Sequence, residues 1–373
     1  MDALMLPLNW QRVRLGDVGK PCMCKRVMKH QTTRYGEIPF YKIGTFGNTA
    51  DAFISKKLFL EYKTKYSFPK KGDILISASG TIGRAVIYDG KPAYFQDSNI
   101  VWIDNDETLV KNDFLFYAYS NVKWNTEHTT ILRLYNDNFR NTLIPLPPLN
   151  EQNAIANILS GLDRYLCALD ALILKKEGVK KALSFELLSQ RKRLKGFNQA
   201  WQRVRLGDIA NYLISNLSAE QITQQGKIKV YDVNNFIGYT DTTFISDKPY
   251  ISIVKDGSVG RVRILPPKTN ILSTMGALIA NHRTTTEFLF YLLSNFDFKN
   301  FTSGSIIPHI YFKDYKEKTI FLPPLNEQSA IANILSDLDN EIISLKNKKR
   351  QFENIKKALN HDLMSAKIRV LKK

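Results

Sequence analysis

The sequence predicts an α+β protein: two mixed α/β domains separated by two long antiparallel coiled-coil helices, arranged as a pseudo-twofold tandem repeat. Three observations predict this fold: near-identical segments that occur twice, a helical periodicity after each second segment, and strand-like runs between the segments. The predicted boundaries are 1–149 for the first domain, 150–195 for the first long helix, 196–325 for the second domain and 326–373 for the second long helix.

The repeat is defined by two anchor segments. Residues 10–17 and 201–208 both read WQRVRLGD, and residues 146–163 recur at 322–339 with two differences, beginning LPPLNEQ in each copy. The first anchor recurs after 191 residues and the second after 176, so the first copy holds 15 extra residues inside its globular domain. A shared frame with divergent interiors predicts one scaffold that acts on two different targets.

A long helix follows each LPPLNEQ segment. From Ile155 and from Ile331, apolar residues recur about every 3.5 positions with lysine, aspartate and glutamate between them, which is typical of coiled coils. Glu151 and Glu327 suit the positive end of the helix dipole. Two equal helices in one chain can pair antiparallel, so we expect the two chain ends to lie near each other, as the opened counterpart of the linker 195–200.

The net charge indicates a polyanionic partner. Lysine and arginine outnumber aspartate and glutamate by 53 to 35, giving a formal charge of +18 in an aromatic-rich chain. Nucleic acid is the first candidate and an anionic membrane surface the second. A membrane is disfavoured because the longest apolar stretch is far shorter than the ~20 residues that span a bilayer. The start of the chain lacks a signal-peptide pattern and its cysteines do not form a disulfide framework, so the cytoplasm is the expected compartment.

The segment from Ser77 to Arg84 is the most site-like, because its small residues let backbone amides approach a phosphate and its arginine can bind a phosphate or a guanine edge. The alternative is a tight turn between strands, and for the basic stretch from Lys25 the alternative is a solvated face. The candidate DNA-contacting residues are Lys25, Arg26, Lys42, Thr45, Ser77, Ser79, Gly80, Thr81, Arg84, Asn234, Asn235, Lys255, Ser258 and Arg261.

Catalytic and cofactor motifs are not found. The sequence has no P-loop, no Pro-Pro-aromatic site of the kind amino-methyltransferases use, and no Pro-Asp dipeptide of the usual nuclease motif. Cys22, Cys24 and His30 lack zinc-site spacing, and Cys167 is expected to be a buried helix residue. We therefore predict no catalytic residue, no metal site and no cofactor in this chain.

The combination of motifs resembles a known family. A Trp-x-x-x-x-Leu-Gly-Asp start at 10–17, a Leu-Pro-Pro-Leu-x-Glu-Gln-x-x-Ile-Ala helix start at 146–156 and a Leu-x-Gly-Phe-x-x-x-Trp joint at 194–201 occur together. This arrangement closely resembles the DNA specificity subunit of type I restriction–modification systems, over essentially the whole chain. The resemblance implies two target-recognition domains, each recognising one half of a split DNA sequence, with the helices setting the distance between the halves.

The resemblance also implies partners: double-stranded DNA, two methyltransferase (modification) subunits and restriction (translocase) subunits. S-adenosylmethionine, ATP and magnesium would belong to those partners. The candidate docking residues on the helices are Ile155, Leu162, Leu169, Ile331, Leu338 and Leu345. Two other classes of protein fit the sequence less well. An enzyme with its own methyltransferase or nuclease domain needs more than 373 residues, and a coiled-coil scaffold without DNA is disfavoured by the charge.

Overall fold

The computed structural model describes residues 7, 9–126 and 132–370, and it confirms the α+β class. The chain forms two compact units, and each is described by itself: unit 1 is Met1–Leu169 with Lys348–Lys373, and unit 2 is Asp170–Asn347. Each unit holds one globular domain, the start of one long helix and the end of the other. The compact units therefore do not follow the predicted division into domains and helices.

Among its described residues, unit 1 has nine short strands and four short α-helices besides the long helix segments. The strands are β1 (Gln11–Arg14), β2 (Gly19–Met23), β3 (Ile38–Tyr41), β4 (Phe53–Ile54), β5 (Ile74–Ser77), β6 (Ala85–Ile87), β7 (Tyr94–Phe95), β8 (Ile100–Asn105) and β9 (Leu143–Leu146). The helices are α1 (Leu15–Val18), α2 (Lys56–Lys65), α3 (Asn112–Tyr119) and α4 (Asn136–Arg140), followed by the long helix α5 (Leu149–Leu188), which continues into unit 2.

Unit 2 has a related series of elements. Its strands are β10 (Gln202–Arg205), β11 (Ala210–Ile214), β12 (Ile228–Tyr231), β13 (Phe236–Thr240), β14 (Tyr250–Val254), β15 (Val262–Leu265), β16 (Asn270–Ile271), β17 (Met275–Ala280), β18 (Thr302–Ser303), β19 (His309–Ile310) and β20 (Thr319–Leu322). Its helices are α6 (Thr286–Ser294) and α7 (Phe312–Tyr315), followed by the long helix α8 (Leu325–Met364), which continues into unit 1.

The two units share one sheet topology. The antiparallel four-stranded sheet β2-β8-β5-β6 of unit 1 corresponds to β11-β17-β14-β15 of unit 2. The three-stranded sheet β4-β3-β7 corresponds to β13-β12-β16, and each of these two sheets contains one parallel pair of strands. The first anchor forms a strand that pairs antiparallel with the strand before LPPLNEQ, as β1 with β9 and β10 with β20. The interiors that scarcely align in sequence have therefore kept their strand order.

Part of the length difference lies between the fourth and fifth strands of unit 1. Residues 55–73 separate β4 from β5 and include the ten-residue helix α2, whereas the fully described segment 241–249 separates β13 from β14 and contains no helix. Ser55 starts α2 by accepting a hydrogen bond from the Leu58 amide at 3.2 Å, an ordinary N-cap. The additional residues thus extend a connection and leave the sheet unchanged.

One inner strand of each four-stranded sheet, β5 or β14, is buried on both faces. In β5, Ile74 and Ile76 pack into a cluster with helix α3 and the start of α5, while Leu75 points to the opposite cluster. In β14, Ile251 and Ile253 face one cluster and the strand's alternate residues face the other. Because side chains alternate along a strand, a continuous apolar run indicates cover on both sides of the sheet.

The long helices have 40 residues each and begin one residue before the predicted starts, at Leu149 and Leu325. They also end earlier than predicted, and each is followed by a left-handed residue, Gln190 (φ 61°) or Ala366 (φ 57°). A left-handed residue after the last turn is a common way to terminate a helix.

Within each unit the two helix segments run antiparallel, as predicted. In unit 2, Glu177 pairs with Lys346 and Lys180 pairs with Asp339, so the residue number falls along one helix as it rises along the other. In unit 1, the rings of Tyr165 and Phe352 lie 4.7 Å apart. Across the described residues, no helix is long and apolar enough to cross a membrane.

Candidate nucleic-acid interface

A buried glutamate at the start of each long helix contacts the segments that the two repeats share. In unit 1, the indole Nε1 of Trp10 donates to Oε2 of Glu151 at 3.0 Å, and Arg369 donates to both carboxylate oxygens at 2.7 and 2.9 Å. The Glu151 side chain is only 2% exposed. The carboxylate therefore ties the first anchor, the second anchor and the segment after α8 together.

Unit 2 repeats these contacts with its own residues. Trp201 Nε1 donates to Glu327 Oε2 at 2.9 Å, and Arg193 donates to the two oxygens of Glu327 at 3.2 and 2.6 Å. Arg193 and Arg369 are separated by 176 residues, the same offset as the helices. The shared offset could have identified the two arginines from the sequence. They were not predicted, because each glutamate was interpreted only as a partner of the helix dipole.

The glutamine of each LPPLNEQ segment is also buried and fixes a neighbouring loop. Gln328 donates to the carbonyls of Pro323 and Arg283 at 2.8 and 2.9 Å and accepts from the Thr285 amide at 3.0 Å. Gln152 makes the corresponding bonds in unit 1. The anchor motif therefore specifies packing of the domain on its helix, and a contact with DNA is not needed to explain it.

The predicted site segment of unit 1 is the turn between β5 and β6. The Gly83 amide donates to the Ser77 carbonyl at 2.9 Å, and the Ser77 hydroxyl donates to the Thr81 carbonyl. Ser77 is 2% exposed, and the buried Ser79 hydroxyl donates to Asn99 Oδ1 at 2.8 Å. The prediction that these two serine side chains contact DNA is therefore corrected, since both hydroxyls are buried and already donate to Thr81 and Asn99.

The other three candidate residues of this segment lie at the surface. Gly80, Thr81 and Arg84 are exposed, and Arg84 Nη1 donates to the Phe46 carbonyl at 3.0 Å. This bond places the turn beside the loop that contains two other candidates, Lys42 and Thr45.

Those two candidates already have partners within their loop. Lys42 pairs with Asp51 at 2.8 Å, and the Thr45 hydroxyl accepts from the Lys42 amide at 3.1 Å. The Lys42 ion pair is exposed and costs little to exchange for a phosphate.

The turn of unit 2 has the same backbone pattern with different side chains. The Gly260 amide donates to the Val254 carbonyl at 2.9 Å, as Gly83 does to Ser77. Arg261 Nη2 donates to Asn234 Oδ1 at 2.9 Å, which places the turn beside the loop of the candidates Asn234 and Asn235.

The other candidates of unit 2 lie in the same turn. Ser258 is exposed, and the half-buried Lys255 lies 3.8 Å from the Asp256 carboxylate. The structure thus brings together all five candidates of unit 2.

Lys25 and Arg26 form a separate basic edge of unit 1. The Lys25 ammonium lies 5.1 Å from the centre of the Tyr66 ring, and Arg26 Nε donates to Asp97 at 2.8 Å. Arg26 remains 67% exposed despite this pair. Asp97 lies two residues before Asn99, the partner of Ser79, so Arg26 is connected to the base of the turn.

The candidate docking residues of the helices differ in accessibility. Ile155 and Ile331 are at most 1% exposed and belong to the cores of their own units, so their prediction as partner contacts is wrong. Leu169 is also buried. The half-buried members are Leu162, Leu338 and Leu345.

The cysteines do not form a site. Cys24 is buried, and this burial raises the pKa of its thiol to about 12. Cys167 is exposed on α5, which corrects the prediction that it is buried. Among the described residues, no group of three or more histidine, cysteine, aspartate or glutamate side chains could hold a metal ion.

The family model of the type I restriction modification DNA specificity domain matches this chain twice, at residues 7–176 and 198–354. The chain therefore belongs to the type I restriction–modification DNA specificity family. It is a specificity subunit, whose role is recognition of a DNA sequence and not catalysis.

Two relatives illustrate the similarity. A Haemophilus influenzae protein that carries the name of a type I restriction enzyme specificity subunit is 64% identical over 148 residues, which cover 39% of this chain and 38% of that protein. The match therefore spans well under two thirds of the Haemophilus influenzae protein. The type I restriction enzyme MjaVIII specificity subunit of Methanocaldococcus jannaschii is 25% identical over 414 aligned positions, covering 99% of this chain and 95% of that protein.

Solved structures share the fold. The S subunit of a type I restriction–modification system from M. genitalium has a TM-score of 0.63 at 20% identity, covering 96% of this chain and 98% of that one. A chain from a structure of a type I R-M system, solved to explain complex assembly and conformational transition, has a TM-score of 0.57 at 16% identity with the same coverage.

Proposed function

We propose that this subunit recognises a bipartite, asymmetric DNA sequence, with unit 1 contacting one half and unit 2 the other. The observation that carries the proposal is the pair of equivalent arginines in equivalent turns. Arg84 bonds to the backbone of its neighbouring loop, whereas Arg261 bonds to the side chain of Asn234. The two turns share a backbone conformation but present different polar groups, as expected if the two units recognise different half-sites.

Charge favours duplex DNA as the ligand. The chain carries a formal charge of +18, and exposed cations such as Arg26, Arg84 and Arg261 lie at or near the turns. Arginine can donate two parallel hydrogen bonds to guanine in the major groove or to a phosphate. The long helices α5 and α8, of 40 residues each, would set the number of base pairs between the half-sites.

The subunit would act by docking two methyltransferase subunits, joined by restriction subunits in the full complex. S-adenosylmethionine, ATP and magnesium would be bound by those partners. Exposed apolar residues on the long helices are the better candidates for docking, since Leu174 is 68% and Ile343 is 56% exposed. Apolar side chains at this exposure are common at protein interfaces when they occur together.

The test is DNA binding by the full chain as a function of salt and sequence. We expect the logarithm of affinity to fall steeply with the logarithm of salt concentration, because each phosphate contact releases counterions. Arg261→Ala should weaken binding to the cognate sequence by about 1–3 kcal/mol and relax its second half. Arg203→Ala removes an exposed arginine of β10 outside the turn and serves as the control. Binding indifferent to both salt and sequence would overturn the proposal.

A further inference from the structure

The hairpin formed by β18 and β19 carries two solvent-exposed isoleucines at its tip. Ile306 is 92% exposed and its neighbour Ile307 is 54% exposed, in the short loop between the two strands. Placing two adjacent branched aliphatic side chains at a loop tip leaves most of their apolar surface hydrated. Such a cost is recovered only when the surface is covered by a partner.

The tip is held firmly by its own turn. Gly304 has φ +89°, and a Cβ at this position would lie 2.3 Å from the Ile307 carbonyl oxygen. The backbone of the loop therefore approaches Gly304 so closely that only glycine fits there. Antiparallel pairing of Ser303 with His309 closes the hairpin below it. Isoleucine is itself stiff at χ1, so little side-chain entropy remains to be lost when Ile306 is covered.

The hairpin is also bonded to the candidate DNA-contacting turn of unit 2. The Gly257 amide donates to the Pro308 carbonyl at 2.9 Å, and the Ile310 amide donates to the Lys255 carbonyl at 2.9 Å. His309 Nδ1 lies 2.6 Å from Asp256 Oδ1. Three contacts thus fix the apolar tip against a turn that carries Ser258 and Arg261.

We propose that this hairpin enters the major groove of the second half-site and that Ile306 contacts the 5-methyl group of a thymine. The inference rests on the proposed DNA-binding function of the turn. The major groove of undistorted B-DNA, about 12 Å wide, admits a two-stranded β-ribbon, whereas the minor groove is only about 6 Å wide. The thymine methyl is the one apolar group that the base edges present there, so an exposed isoleucine on such a ribbon has a single matching partner.

The test replaces each thymine of the second half-site with uracil, which lacks the 5-methyl group and pairs identically. We measure equilibrium binding of the full chain to each duplex. One replacement should weaken binding by about fourfold, as expected for about 0.8 kcal/mol per buried methyl-sized group. For Ile306→Ala the same duplex pair should bind equally, because the contact has already been removed.

Ile355→Ala, which truncates an exposed isoleucine of α8, is the matched control and should retain the uracil effect. The inference is overturned if cognate binding persists with no uracil effect at any position, or if the second half-site has no thymine on either strand. It is also overturned if Ile306→Ala weakens binding while 2-aminopurine fluorescence reports an unstacked base step, since this indicates a wedge between bases. If the wild-type chain shows no sequence-dependent DNA binding, the proposed function itself is refuted.

Discussion

Arg369 places two nitrogens of its guanidinium group on the buried carboxylate of Glu151, at 2.7 and 2.9 Å. Glu151 lies in the first turn of α5, whereas Arg369 follows the end of α8, so the last described residues of the chain complete the packing of its first domain. Arg369 also donates to Asn9 Oδ1 at 3.2 Å, so the first and last described parts of the chain lie close together, in agreement with the expectation for the chain ends.

Removing this arginine should destabilise unit 1. Arg369→Ala leaves the Glu151 carboxylate buried with the Trp10 indole as its remaining donor, so we expect a loss of about 1–3 kcal/mol in the free energy of unfolding. Urea denaturation followed by tryptophan fluorescence measures this loss. Lys367→Ala, which removes a lysine 3.9 Å from Asp362 on the surface, should change stability by less than about 1 kcal/mol. Equal effects of the two substitutions would contradict a structural role for the Glu151–Arg369 pair.

A charge at the anchor glutamine should be more damaging. In Gln328→Glu, a carboxylate oxygen replaces the amide nitrogen that donates to the Pro323 and Arg283 carbonyls, so acceptor faces acceptor in a buried site. We expect a loss of about 3 kcal/mol or more, measured by the midpoint of thermal unfolding. Gln225→Glu introduces the same charge at an exposed loop position and should be nearly neutral. An unchanged midpoint for Gln328→Glu would show that this glutamine does not hold the loop.

The turn of unit 1 should depend on the absence of a side chain at one position. Gly83 has φ +83°, and a Cβ there would lie 2.1 Å from Trp124 Nε1. Gly83→Ala should therefore displace Trp124 and weaken recognition of the first half-site by tenfold or more. Gly80→Ala, at φ +67° with nothing within 4 Å, adds only backbone strain and should have a smaller effect. The affinity of both variants is measured with duplexes altered in one half-site. Equal losses of affinity in the two variants would argue against the Trp124 contact.

The sequence predicted the architecture because the duplication is explicit in it. The repeat of WQRVRLGD and LPPLNEQ located the frame, the 3.5-residue period indicated both helices, and the LPPLNEQ segments located their starts to within one residue. The division into units was not predictable from these patterns, because each unit joins segments far apart in the chain.

The candidate site was predicted less well than the fold. Periodicity and residue type indicated the turns, but burial decides which side chains are available, and it removed Ser77 and Ser79 from the surface. The same limit explains Ile155 and Ile331, whose coiled-coil spacing does not distinguish a helix partner from the core of a domain. The exposed tip at Ile306 has no sequence signature, since an apolar pair beside a proline is equally typical of a buried strand end.

Thiol labelling should distinguish the cysteines. Cys24 is buried and its thiol pKa is raised to about 12, so at pH 7 to 8 it carries almost no thiolate and is shielded from reagents. Cys167 is exposed on α5 and should react first with iodoacetamide. Mass spectrometry of the alkylated peptides measures the order, and denaturation should abolish the difference. Faster labelling of Cys24 in the folded protein would contradict its placement in the core.

We propose that each unit recognises its own half of a bipartite site on a shared frame. To test this, residues 201–321 are exchanged for the second domain of another family member, and DNA methylation is mapped in cells that supply the partner subunits. We expect one half of the methylated sequence to change while the other half and the spacing stay constant. A change in both halves, or loss of the first half alone, would contradict it.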